Sequence, residues 1–200
     1  MAPLVRGILL LLVPSVAIAF PQYFAVEYAP QAATPCLAHP ERPRGAHQAP
    51  QLDPSIEFTV TDAAGTPAAA VCPGATYGVR VAFPEPRHML TTATAGTLGP
   101  AAAAAGVDQT LPPGVAAACP NRFVYGAPGG SLPLDAYPLS LSLPCGAVPP
   151  EGMTLRVTSA SGMASPYFTS NATLPLAAGC PPCAPTLPPA TAPAPAAAAP

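Results

Sequence analysis

Proline constrains this chain more than any other feature. It accounts for 33 of the 200 residues and is scattered from Pro3 to Pro200. A proline inside a helix removes an amide donor and collides with the preceding turn, so a chain punctuated in this way has no room for long helices. What remains is a series of short extended segments between turns. Alternating apolar and polar residues mark half-buried strands. Residues 56–60 (Ile-Glu-Phe-Thr-Val) alternate, and residues 76–83 set Tyr77, Val79, Val81 and Phe83 on one face, with Pro84 and Pro86 expected to end the strand. Further strands are expected at 89–94, which is rich in Thr, and at 122–125. Residues 139–143 place three leucines on one face, 153–158 turn Leu155 and Val157 inward, and 167–174 align Phe168, Ala172 and Leu174. Asp62-Ala-Ala-Gly65, Pro73-Gly74 and Gly129-Gly130 read as turns. The low-complexity stretch 99–114 reads as a mobile loop, and no helix is expected after the first twenty residues. About seven short strands, each with one apolar face, predict an all-β fold: an immunoglobulin-like antiparallel β-sandwich, stapled by disulfides.

The amino terminus sets the compartment. Arg6 supplies a positive charge, residues 8–13 are apolar, and small residues stand at Ala17 and Ala19. This is the layout of a secretory signal peptide. Cleavage is expected after Ala19, so that residues 1–19 are removed and the mature chain begins at Phe20. A spanning helix needs about 20 apolar residues, and Pro14 and Pro21 interrupt this run. Residues 20–30 form an amino-terminal lead, 31–183 the sandwich domain, and 184–200 a Pro/Ala tail. Such a tail favours polyproline II and builds no core. It is expected to be disordered and is a candidate for O-glycosylation. It is not the apolar tail of a GPI signal. The expected localisation is therefore secreted and extracellular, in a matrix or at a cell surface, with no membrane span.

Six cysteines in a secreted chain imply disulfides: Cys36, Cys72, Cys119, Cys145, Cys180 and Cys183. Spacing alone does not choose among the complete pairings, which number about 15. The Cys180-Pro-Pro-Cys183 pair raises two other readings. A thioredoxin-type redox centre needs a helix start to lower the thiol pKa, and two prolines between the cysteines with a third at Pro185 oppose one. A structural zinc site needs a second pair or nearby histidine, whereas the other cysteines are dispersed and the last histidine is His88. The pair therefore reads as framework, clamping the last strand to distant parts of the domain. A return from one of them to Cys36 would close the two ends of the fold, and an intermolecular bridge is a lesser variant.

Only 8% of residues are charged and the net charge is −2, with no basic patch, which excludes nucleic acid as a partner. His39, His47 and His88 stand near prolines and read as solvated loop residues rather than metal ligands or a catalytic base. A Ser/His/Asp hydrolase could be assembled on paper from His88 with Asp108 or Asp135, but no Gly-x-Ser-x-Gly marks a nucleophile. Arg80, Glu85, Arg87 and Arg156 read as surface charges, and no phosphate loop is present. No catalytic, cofactor-binding or metal-binding residue is assigned, and no cofactor is expected. Asn171-Ala-Thr173 is an N-glycosylation sequon, which predicts that Asn171 faces solvent.

Cys36-Leu-Ala-His39-Pro40, followed by Val71-Cys-Pro-Gly-Ala-Thr-Tyr-Gly-Val-Arg-Val81, then Ala93-Thr-Ala-Gly96 and Cys119-Pro120, resembles the reeler (reelin amino-terminal) domain family over about residues 36–175. The resemblance implies an extracellular immunoglobulin-like sandwich used for adhesion or matrix contact. The Pro/Ala tail is similar to hydroxyproline-rich cell-wall glycoproteins. Together these lead to a non-catalytic structural or binding module of the extracellular matrix, cell wall or cell surface, with an extracellular protein or polysaccharide as partner. The alternatives are a secreted enzyme or accessory oxidoreductase acting on wall polymers, and a secreted inhibitor or signalling ligand presenting 99–114 as its loop.

Overall fold

The computed structural model describes residues 35–43, 47–102, 113–125, 132–146, 148–162 and 164–183. The expected signal peptide, the lead 20–30, the tail 184–200, Asp108 and the Gly129-Gly130 turn lie outside these residues.

The fold is built from eight strands: β1 (Gln51–Leu52), β2 (Glu57–Thr61), β3 (Thr76–Ala93), β4 (Thr97–Pro100), β5 (Arg122–Tyr125), β6 (Leu134–Ser142), β7 (Met153–Ala160) and β8 (Phe168–Leu174). One helix, α1 (Pro113–Ala118), precedes β5, and a single 3-10 turn spans Pro35–Leu37. The first half of β3 pairs with β2 on one side and β6 on the other, and β6 pairs with β4. The second half of β3 pairs with β7 and β5, and β7 pairs with β8. All of these pairings are antiparallel. Only the two-residue β1 is parallel, to the start of β8. The result is two sheets that share one long strand: sheet I, β1-β8-β7-β3-β5, and sheet II, β2-β3-β6-β4.

The eighteen-residue β3 departs from the expectation of two strands separated by Pro84 and Pro86. The prolines do not end it, because they fall where no partner needs an amide. Pairing with β6 shifts register between Ala82 and Arg87, and β7 takes over from His88. Proline within a sheet is tolerated at such an irregularity. The exposed Pro84-Glu85-Pro86 is the point where the strand leaves one sheet and enters the other.

The residues expected to face inward form one core from both sheets. Tyr77, Val79, Val81 and Phe83 are buried, as are Leu139, Leu141, Leu155 and Val157. They cluster with Met89, Phe123 and Met153. Tyr125 of sheet I and Tyr137 of sheet II meet with ring centroids 5.0 Å apart, so the two inner faces are in contact. Burying a Val, Leu or Phe side chain contributes about 1.5–3 kcal/mol, which makes this cluster the main source of stability.

Two other expectations are corrected. Gly99 and Pro100 belong to β4, and α1 begins at Pro113, so the stretch 99–114 is not a single loop. The helix lasts six residues and carries a proline at its first position, where a missing amide costs nothing. β1 and β4 also went unpredicted: two and four residues are too few for an alternation to register.

Candidate functional site

The most elaborated part of the molecule is the outer face of sheet I. Directly paired residues of neighbouring strands share a face. The register therefore places Asn171 (β8), Arg156 (β7), Thr92 (β3) and Arg122 (β5) in one row, with Thr169, Thr158, Leu90 and Val124 in the next. Leu90 and Val124 are apolar, and both are fully buried although they point away from the core. Residues 36–43 and 47–50 lie across this face as a third layer, a strap attached to the sheet at several points.

Three attachments hold this strap. Cys36 is bonded to Cys119, just after α1. The Arg122 guanidinium donates to the carbonyls of Cys36 and Ala38 at 2.9 and 3.0 Å. His39 lies 2.8 Å through Nδ1 from the Thr158 hydroxyl and 2.9 Å through Nε2 from the Thr92 hydroxyl. A neutral imidazole has one donor and one acceptor nitrogen, so one threonine accepts and the other donates. Farther along, His47 stacks on Tyr167 with centroids 4.2 Å apart, and its Nδ1 meets the Ser165 carbonyl.

The three histidines are thus not the solvated loop residues expected: His39 and His47 are 2% exposed and His88 5%. Burial holds the His39 pKa well below the ordinary histidine value, and the positive charges of Arg156 and Arg122 push it the same way. Burial also lowers the pKa of His88 and brings that of Arg122 down to about 10. With both ring nitrogens engaged, His39 has no lone pair to offer a metal or a substrate. Among the described residues, no cluster of three His, Cys, Asp or Glu side chains could hold a metal ion.

Arg87 is also corrected from surface charge to buried anchor. Its side chain is 4% exposed, with Nη1 2.7 Å from Asp53 Oδ2 and the guanidinium 4.1 Å from the centroid of the Phe168 ring. It ties the strand crossover to the start of β8 and to the turn after β1. Burial alone would raise the Asp53 pKa, but hydrogen bonds from Ser55 and Arg87, with the charge of Arg87, take it below the usual carboxylate value. Glu85 lies 3.4 Å from the same guanidinium at the surface. Arg80 is exposed and Arg156 half-buried.

The cysteines settle into three bridges: Cys36–Cys119, Cys72–Cys180 and Cys145–Cys183, separated by 83, 108 and 38 residues. Cys36 therefore does not close onto the carboxyl-terminal pair. The two halves of Cys180-Pro-Pro-Cys183 go to different partners, the turns after Val71 and after β6. Pro181 and Pro182 keep the two cysteines from folding back on each other, because each fixes φ and favours extended backbone on either side.

Asn171 is exposed in β8, and Thr173, also exposed, lies two residues on along the same face. The signals that sequence reading missed, the hydroxyl partners Thr92 and Thr158, lie 53 and 119 residues from His39. An outward threonine has no sequence mark that separates a ligand of histidine from a solvated strand residue.

No protein-family model matches the chain, and no curated protein does. Among solved structures, the reelin-N domain of F-spondin is similar at 13% identity and a TM-score of 0.41, covering 62% of this chain and 91% of that one. The human F-spondin reeler domain is similar at 14% identity and a TM-score of 0.40, again over 62% of this chain and 91% of that one. At this identity and TM-score the account of the fold rests on the strand pairings and bridges above.

Proposed function

We propose that the chain is a secreted, non-catalytic structural or binding module of the extracellular matrix, cell wall or cell surface. The observation that carries this reading is the set of three long-range bridges. Such bridges form and persist in oxidising compartments and are rare where thiols are kept reduced. The secretory layout of residues 1–19 supports the same compartment. A non-catalytic role is supported by how the buried polar groups are used: His39, Arg87 and Arg122 bind backbone, hydroxyl or carboxylate groups of the fold itself. The Cys-x-x-Cys pair serves as two independent staples rather than as a dithiol.

Expression of the full chain in a secreting eukaryotic cell tests this reading. The expected result is recovery from the medium or the matrix fraction, with no thiol titratable in the folded protein. Retention in the cytosol with reduced cysteines would overturn it. Retention of the purified protein on an immobilised matrix or wall preparation, against a matched albumin control, then tests the binding half.

A further inference from the structure

Among the described residues, strand β8 has an open edge. On the side away from β7, β1 pairs only with Phe168 and Thr169. The next contact on that side is Val71, which donates to the Pro175 carbonyl and accepts from the Ala177 amide. Between them, no described residue pairs with the outward backbone of β8. Asp53 donates to the Thr169 carbonyl on the β1 side. Backbone groups alternate direction along a strand, so Asn171 and Thr173 present theirs to the same side, which the described residues leave uncovered. An unpaired edge is a template for another strand, and proteins guard such edges with charge, proline or a covering segment. Residues 170–174 (Ser-Asn-Ala-Thr-Leu) contain neither charge nor proline. They do contain the sequon.

We propose that Asn171 carries an N-linked oligosaccharide, and that this glycan shields the open edge of β8 from pairing with a second chain. Asn171 is exposed at the middle of the unguarded stretch, and Ala172 satisfies the rule against proline at the central position. The chain's other asparagine, Asn121, is followed by Arg-Phe and donates through Nδ2 to the Ala93 carbonyl at 2.9 Å. It is no sequon and serves as an internal control. The donor is a polyprenyl-pyrophosphate-linked oligosaccharide of the secretory pathway. A bond forms between Asn171 Nδ2 and C1 of the first sugar, the bond from C1 to the pyrophosphate oxygen breaks, polyprenyl pyrophosphate leaves, and one amide proton passes to solvent. No oxidation or reduction is involved. The proposal rests on the secretory reading above, because only that route brings donor and asparagine together.

The test is peptide mapping of the full chain secreted from eukaryotic cells, before and after peptide N-glycosidase. The expected result is a mass shift of one oligosaccharide, with Asn171 read as Asp after release and Asn121 unchanged. A bare Asn171 in secreted, fully bridged protein overturns the site while leaving the secretory reading intact. Failure of the chain to leave the cell overturns both. For the shielding role, size exclusion compares the glycosylated chain, the same folded chain trimmed by an endoglycosidase to a single N-acetylglucosamine, which keeps the Asn171 amide uncharged, and the Asn171→Gln variant. The trimmed and unglycosylated forms are expected to shift to dimers or larger species at concentrations where the fully glycosylated chain is monomeric. Equal elution of all three overturns the shield. Enzymatic trimming acts on folded protein, so the answer does not depend on the variant folding.

Discussion

Lowering the pH from 7 to 5 should weaken the fold through His39. The folded chain holds this imidazole neutral between Thr92 and Thr158, with Arg122 and Arg156 as the charges facing it. The unfolded chain protonates it near pH 6.5. The unfolded state therefore binds the extra proton first as the solution is acidified. The stability that a neutral His39 contributes is complete above pH 6.5 and is lost as the pH falls from there through the lowered folded pKa. Because burial holds the folded imidazole neutral well below the unfolded pKa, protonation of the unfolded chain sets an upper limit of about 2 kcal/mol on the loss between pH 7 and 5. His88, whose pKa burial also lowers, adds to the slope in the same direction, so the comparison needs a variant. His39→Gln keeps a hydrogen-bonding side chain but removes the titration. Urea unfolding of oxidised wild type and variant at pH 7 and 5 reads the difference. The wild type should lose more than the variant on acidification, by up to about 2 kcal/mol. Equal losses would refute the account of a buried neutral histidine holding the strap.

Three substitutions follow from other parts of the fold. Asp53→Asn leaves the Arg87 guanidinium buried without its carboxylate and should cost about 3 kcal/mol in chemical denaturation. Gly152→Ala should be comparably severe: Gly152 has φ +96°, and a Cβ there would stand 2.2 Å from the Leu174 carbonyl oxygen, so a lowered midpoint of thermal unfolding by circular dichroism is expected. The double replacement Cys72→Ala with Cys180→Ala opens a closure of 108 residues and should cost about 3–5 kcal/mol in urea unfolding.

Much of the fold is legible in the sequence wherever burial on one face imposes a period of two. Tyr77 to Phe83 and Leu139 to Leu143 are such stretches, and they lie where expected. The strand crossover was not legible. Pro84 and Pro86 carry the same local signal whether a strand stops or passes from one sheet to the other. What decides is the absence of an amide partner between Ala82 and Arg87, a property of the pairing and not of the prolines. The buried histidines were hidden for a related reason. His39 and His47 sit in a proline-rich, loop-like segment, and such segments are ordinarily at the surface. Here the strap lies over a sheet face that shows apolar and hydroxyl side chains outward, and only the register reveals that Leu90 and Val124 need a cover. Arg87 was misread because its partners, Asp53 and Phe168, lie 34 residues before it and 81 after. The cysteine count and the compartment it implies were legible, and the connectivity was not, since spacing carries no information about which loops the fold brings together.

The central claim is that Cys180-Pro-Pro-Cys183 is a framework element that staples the end of the sandwich to two separate turns. A non-reducing peptide map of the secreted protein by mass spectrometry tests it most directly. The account predicts linked peptides joining Cys36 to Cys119, Cys72 to Cys180 and Cys145 to Cys183, with no free thiol. A bridge between Cys180 and Cys183 themselves, or two free thiols there, would contradict it and make the pair a dithiol open to redox chemistry.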